Sequence, residues 1–316
     1  MNLTEKITEV KPNLKPNTIK QYEAQLNKLK KSFKSDNWDF IEDVNAVEDS
    51  LKHLSYLSQR NMYNAIIVLL LALNSEGDYD ETLKDYQQIR DVLNDQYSKE
   101  MSEGKVLDSQ KDKLVNISVI EDMIQTMKKE ILVRKLKTKT TLTQNDVTLI
   151  RAYTLYSMLI RIPTRNDFSN LLYISQTQYK KLKDEEKEQN NYLVNERNNM
   201  KIILNVYKTA KKYGENIISI SADLKKILNS YIKIMDFKIG SNLFPLSRNA
   251  LTQLLTKTSE KYIGKKISTT AIRKSYLSSK YGDLKKEMEA DSKMMGHSVQ
   301  VAQSTYTKEI PSEEDN

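Results

Sequence analysis

The sequence predicts a mainly α-helical protein of two domains: an all-helical N-terminal domain and a mostly helical second domain with a small antiparallel sheet. Three observations predict it. Apolar residues recur at helical spacing along most of the chain, as in Ile19, Tyr22, Leu26, Leu29 and Phe33. Two short Ile-rich runs, Met200–Tyr207 and Asn216–Ser221, read instead as strands, with Gly214 supplying a turn between them. The stretch from Glu103-Gly104-Lys105 to Lys113 has no apolar period and separates two longer periodic regions.

Taken in order, residues 1–12 are polar and read as a flexible N-terminus. Pro12 and Pro16 bracket an extended entry, and Thr18-Ile19-Lys20-Gln21 is a capping-box pattern that opens a helix. Lys20, Lys28, Lys30 and Lys31 fall on its polar face. Further helices are expected at about 44–55, 58–74 and 80–101, with Asn74-Ser75-Glu76-Gly77-Asp78 as a turn. These residues, 13–106, form the first domain. It serves as a packing module or as a DNA clamp with its lysine face along phosphates.

The second domain covers 114–308. Ser118-Val119-Ile120-Glu121 is a second capping-box pattern, before a basic loop at 133–143 and a helix from Gln144 to about Arg161, broken by Pro163. Residues 164–175 read as a short helix running into a strand, and 178–191 as a charged loop. The hairpin follows, with Lys208, Lys211 and Lys212 at its tip, then helices at about 222–235, 248–263, 268–280 and 283–294. Residues 309–316 are an acidic tail.

Composition narrows the function. The absence of cysteine excludes disulfides and thiolate metal sites. Two histidines, His53 and His297, leave little for a histidine-rich metal site or a Ser-His-Asp triad; His53 lies in a helical pattern and reads as structural. A net charge of +8 favours a polyanionic partner such as nucleic acid. The longest apolar run, Ala65–Leu73, is too short to cross a bilayer, and the first residues lack the apolar core of a signal peptide. A soluble, intracellular protein with no membrane partner is expected.

The stretch Met294–Lys308 carries the sharpest chemistry. Gly296 suits a left-handed helix cap and Ser298 an N-cap, which sets His297 at a corner. Tyr306 lies nine positions on (306 − 297). Upstream, Arg165 follows Pro163, Lys208 follows a strand, and Arg273 lies in a helix opened by Ser268. Phosphodiester chemistry needs these types. Two arginines neutralise charge that builds on the phosphoryl oxygens. A lysine protonates the leaving oxygen, a histidine hydrogen-bonds phosphate or moves a proton, and a tyrosine attacks to form an ester.

The ordered set Arg165, Lys208, Arg273, Gly296-His297 and Tyr306 resembles the tyrosine recombinases, or phage-type integrases. The segment from Leu14 to Leu29 also resembles the start of that family's core-binding domain, so the likeness spans about residues 12–308. It implies a core-binding domain and a catalytic domain forming a C-shaped clamp on duplex DNA. Tyr306 would attack the scissile phosphate to give a 3′-phosphotyrosyl link and a free 5′-hydroxyl. No metal or other cofactor is implied. The implied assembly is a homo-tetramer on two DNA sites, with a monomer or weak oligomer off DNA. Its place would be with DNA, in cytoplasm, nucleoid or host nucleus.

The chain departs from the family pattern in places. The histidine expected three residues before Arg273 is Thr270, which can donate to phosphate but is no general base near neutral pH. Lys274 can add charge. The acidic residue expected after Arg165 falls at Asp167, one place early, which leaves Arg161 as the alternative arginine. The hairpin lysine is Lys208, Lys211 or Lys212. Three other readings remain: a DNA-binding protein of the same fold without catalysis, a type IB topoisomerase-like enzyme, and an RNA-binding protein.

Overall fold

The computed structural model describes residues 3–74, 77–102, 111, 113–196 and 199–306; the side chains of Ser102 and Tyr306 lie outside that description. The expected boundary at Glu103-Gly104-Lys105 and the acidic tail at 309–316 also lie outside it. The chain divides into two compact units, Met1–Leu107 and Asp108–Asn316.

The first unit is helical throughout its described residues. It comprises α1 (Leu3–Val10), α2 (Pro16–Ser32), a 3-10 turn at Asp39–Glu42, α3 (Val44–Leu51), α4 (Tyr56–Leu73) and α5 (Asp80–Ser102). Ser55 caps α4 by accepting from the Ser58 amide. The apolar run in α4 leaves no polar face, so the other helices pack around it. Tyr86 of α5 is fully buried and donates to the Ile41 carbonyl at 2.8 Å.

Three expectations for this unit fail. The N-terminus is not loose over 3–10: Ile7 is fully buried among Ile19 and Val68, so α1 docks on α2 and α4. One apolar side chain at the right position outweighs a polar composition. Helix α2 begins at Pro16 rather than Thr18, because proline at the first helical position needs no amide partner. Helix α3 stops at Leu51, and His53 sits exposed in the turn that frees Ser55 to cap α4.

The second unit holds α6 (Ile117–Val133), α7 (Gln144–Leu159), β1 (Leu171–Ser175), α8 (Gln176–Lys181), α9 (Asp184–Lys187), β2 (Asn191–Asn195) and β3 (Met200–Leu204). It continues with α10 (Ala210–Tyr213), β4 (Asn216–Ser219), α11 (Ala222–Ile234), α12 (Arg248–Ile263), α13 (Thr269–Met294) and α14 (Val299–Val301), ending in a π-helical turn, Ala302–Tyr306. Asn116, not Ser118, caps α6. Thr143 and Asp146 form a reciprocal capping box on α7. The Asp146 carboxylate also pairs with Lys139 at 2.5 Å, which with the Thr143 bonds holds it well below the usual carboxylate range.

The sheet runs β1-β2-β3-β4 and is mixed, not purely antiparallel. β1 pairs parallel with β2, Tyr173 opposite Leu193. Residues 178–191, expected as a solvated loop, supply the crossover that a parallel pair needs: α8 and α9 turn the chain back, and Tyr179 is buried. β2–β3 and β3–β4 are antiparallel, the second being the expected hairpin. One sheet face and α6, α7, α11 and α12 share the main core, which includes Met127, Leu155, Leu193, Leu228 and Leu255.

Residues 165–170 are turns rather than a short helix. The expected break near Gly282 is also absent, and α13 is continuous from Thr269 to Met294. Among the described residues no helix is long and apolar enough to cross a membrane.

Candidate functional site

The turn after α7 gathers the charged residues. Pro163 ends the helical run, and Arg165 is exposed beyond it, its amide donating to Asp167 Oδ2 at 3.2 Å. Asp167 is buried, and burial raises its carboxyl pKa against the opposing pull of Arg248, Arg165 and Arg273. Arg273, half-buried in the second turn of α13, feels the reverse: burial lowers its guanidinium pKa, Arg165 repels it and Asp167 holds it. One carboxylate therefore feels three guanidinium charges, Arg248 at 4.0 Å and Arg165 and Arg273 within electrostatic reach. The residual charge is positive, and an incoming anion would relieve the repulsion.

Two side-chain amides, half-buried Asn166 and buried Asn191, fix the backbone of this cluster. Asn166 Nδ2 donates to the Arg248 carbonyl at 3.1 Å and to Thr252 Oγ1 at 2.8 Å. Its Oδ1 accepts from Thr269 Oγ1 at 3.0 Å, which ties the turn to the starts of both α12 and α13. Asn191, buried at the start of β2, donates to the Asp167 carbonyl at 2.7 Å and to the Val206 carbonyl at 3.2 Å. Its Oδ1 accepts from the amides of Asn205 at 2.8 Å and Val206 at 2.7 Å. The segment leading to Lys208 is thereby pinned to the turn that carries Arg165.

The structure thus brings Arg165 and Arg273 together. Lys208 is exposed, four residues past the end of β3 (208 − 204), not directly after it as expected. Lys211 and Lys212 lie on α10, also exposed. Thr270 is exposed in the first turn of α13 and Lys274 half-buried beside Arg273. Arg161 belongs elsewhere: it donates to the Ser157 carbonyl at 2.9 Å and lines a separate cavity.

His297 is not brought to the arginines. Gly296 adopts φ 75°, and the amides of Gly296 and His297 bond to the carbonyls of Lys293 and Ser292 at 3.2 and 3.0 Å. That is a Schellman cap, followed by Ser298 capping α14 through the Val301 amide. The corner has the anticipated geometry. Yet it stands at the far end of α13, and the 21 residues from Arg273 to Met294 (294 − 273) span about 32 Å at about 1.5 Å each. Backbone is described through Tyr306, the proposed nucleophile, but its side chain lies outside the described residues.

Sequence reasoning missed Arg248, Asn166 and Asn191. Only Arg248 left a signal. It is the first residue of α12, directly after the Ser247 cap, where the helix dipole favours acidic side chains. The Asp167 carboxylate at 4.0 Å offsets that unfavourable placement. Among the described residues no group of three or more His, Asp or Glu side chains could hold a metal ion. Compared with known proteins, the chain matches no family model, no curated protein and no solved structure.

Proposed function

We propose that the protein is a tyrosine-type DNA strand transferase, a site-specific recombinase or integrase. The supporting observation is the convergence of Arg165 and Arg273, 108 residues apart in sequence (273 − 165), around the buried Asp167. A scissile phosphate seated there receives two guanidinium clamps that stabilise the pentavalent transition state. Tyr306 gives its phenolic proton to His297 or water and attacks phosphorus, the 5′-oxygen leaves with a proton from a hairpin lysine, and the 3′-phosphate stays on the tyrosine. A 5′-hydroxyl from a partner duplex reverses the step, so bond energy is conserved without a nucleotide cofactor. His297 and Thr270 are assigned hydrogen bonds to the phosphate.

The first unit supplies duplex affinity in this reading. Lys20, Lys28 and Lys31 are exposed on α2 and fall within an arc of about 80° at about 100° per residue. Such a stripe follows a phosphate backbone and makes binding steeply salt-dependent.

The separation of His297 from Arg273 favours a second reading: a DNA-binding protein of the same architecture that does not cleave. A suicide duplex bearing a nick beside the target phosphate distinguishes the two. A protein–DNA adduct on a denaturing gel that disappears in Tyr306→Phe supports strand transfer. Retained duplex binding with no adduct on any cognate site establishes the second reading.

A further inference from the structure

Helices α6, α7 and α11 do not close fully on one another. They line a half-open cavity of about 590 Å³, within the range of about 300–1,000 Å³ found for small-molecule sites. It shares no residue with the Arg165–Arg273 cluster.

The cavity has two chemical characters. Ile124, Ile131, Ile150 and Ile227 make an apolar wall. Tyr153, Ser157 and Arg161 follow at intervals of four along α7 and its exit, on the same helix face as Ile150. The three side chains are electrostatically in touch: burial raises the Tyr153 hydroxyl pKa, while Arg161 and the Ser157 hydroxyl oppose the rise. The Ser157 hydroxyl is buried and makes no hydrogen bond of normal geometry to the protein. A buried hydroxyl left so loses about 1–3 kcal/mol. The rim is positive as well. Lys128 and Lys137 stand on it with Glu121, while Asp223 is paired with Lys226 at 3.6 Å.

We propose that this cavity binds a small amphipathic anion, an apolar body of roughly drug size ending in one carboxylate. The apolar body covers Leu132, Ile160, Ile227 and Ile234, the lining side chains that are still partly exposed to water. The carboxylate accepts a charge-assisted bond from the Arg161 guanidinium and a bond from the partly exposed Tyr153 hydroxyl, behind which Ser157 lies buried. The positive rim excludes a cationic ligand of the same shape.

Titration calorimetry of the full chain with decanoate, decyltrimethylammonium and acetate tests this, with both long-chain probes below their micellar concentrations. Decanoate should saturate at one site. Its affinity should fall about tenfold or more in Arg161→Gln, consistent with loss of a charge-assisted bond. It should fall a few-fold in Tyr153→Phe and vanish in Ile227→Trp, which fills the cavity; circular dichroism checks that each variant is folded. Decyltrimethylammonium and acetate should not saturate. Equal binding of the two decyl probes to the unaltered protein, or no saturable heat with decanoate, overturns the proposal. So does self-association that Ile227→Trp abolishes and decanoate does not compete, since the cavity then belongs to a second copy of the chain.

Discussion

Replacing Asn191 with leucine is the most demanding check on how the site is held together. The side chain satisfies four backbone groups: the amides of Asn205 and Val206 and the carbonyls of Asp167 and Val206. Leucine has the same branching and number of heavy atoms, though bulkier ends, and none of the bonding capacity. Each buried group left unpaired costs about 1–3 kcal/mol. Asn205 is only half-buried and Val206 exposed, so water recovers part of the loss. A net destabilisation of about 3–4 kcal/mol follows. For a unit the size of Asp108–Asn316, each kcal/mol lowers Tm by about 2–4 °C, giving a drop of about 6–16 °C. Urea unfolding followed by far-ultraviolet circular dichroism should show the lower midpoint at an unchanged slope. Asn205→Ala is the reference. It removes bonds to the Lys187 and Asn190 carbonyls on the rim of the same network and should cost about 1 kcal/mol. A loss in Asn191→Leu below about 1 kcal/mol, or no larger than the reference, refutes the claim that this one amide carries the link between the Arg165 turn and the Lys208 segment.

Other expectations follow from single side chains. Arg273→Ala should reduce adduct formation by about a hundredfold or more and leave duplex affinity within a few-fold, since one clamp is a small part of the total phosphate contact; parallel losses in a gel-shift and a cleavage assay would make Arg273 merely structural. Ile7→Ala should cost about 2–4 kcal/mol, read as earlier urea unfolding of the first unit through Trp38 fluorescence; no shift would mean that α1 adds nothing. Asp146→Asn addresses pH. The folded carboxyl is held below its ordinary value, so its stabilisation is present above about pH 4 and is lost as pH falls through the lowered folded value. Tm of the variant should therefore lie below that of the parent at pH 7, with the gap narrowing at pH 3; a gap independent of pH contradicts the assignment.

The sequence exposed the features that local chemistry decides. The apolar run in α4, the Gly296–Ser298 corner and the β3–β4 hairpin each follow from residues that are neighbours in the chain. It hid what depends on distant partners. Ile7 makes a helix out of a polar segment only because Val68 and Ile19 cover it. The parallel β1–β2 pair needs a crossover that a charged sequence disguises as loop. Arg165 and Arg273 were legible by type and order, whereas Asn166 and Asn191 act through backbone groups brought in from elsewhere, which no spacing announces. Gly282 misled in the other direction. A helix-interior glycine costs about 1 kcal/mol, too little to break a helix that is otherwise consistent.

That small cost bears on how Tyr306 could reach the arginines. Beyond Ser275 the outward part of α13 has little packing: Leu277, Tyr281 and Leu284 are 50%, 47% and 60% exposed. Residues 283–294 alone make a helix near the length, about 12–15 residues, at which isolated helices become marginal. A break at Gly282 is therefore inexpensive beside the contacts that bound DNA provides, and it would let the chain carry His297 back toward Arg273. The alternative is that His297 and Tyr306 complete the site of a second protomer. Mixing Tyr306→Phe with Arg273→Ala separates the two routes. If the tyrosine acts on a neighbour, the mixture regains adduct formation that neither variant shows alone. If the helix breaks, the mixture stays inactive, and Gly282→Ala, which stiffens the helix by about 1 kcal/mol, lowers adduct formation about fivefold. Absence of any adduct from the unaltered protein, with duplex binding intact, would leave the arginine cluster as an anion-binding site without a nucleophile, and strand transfer would have to be abandoned.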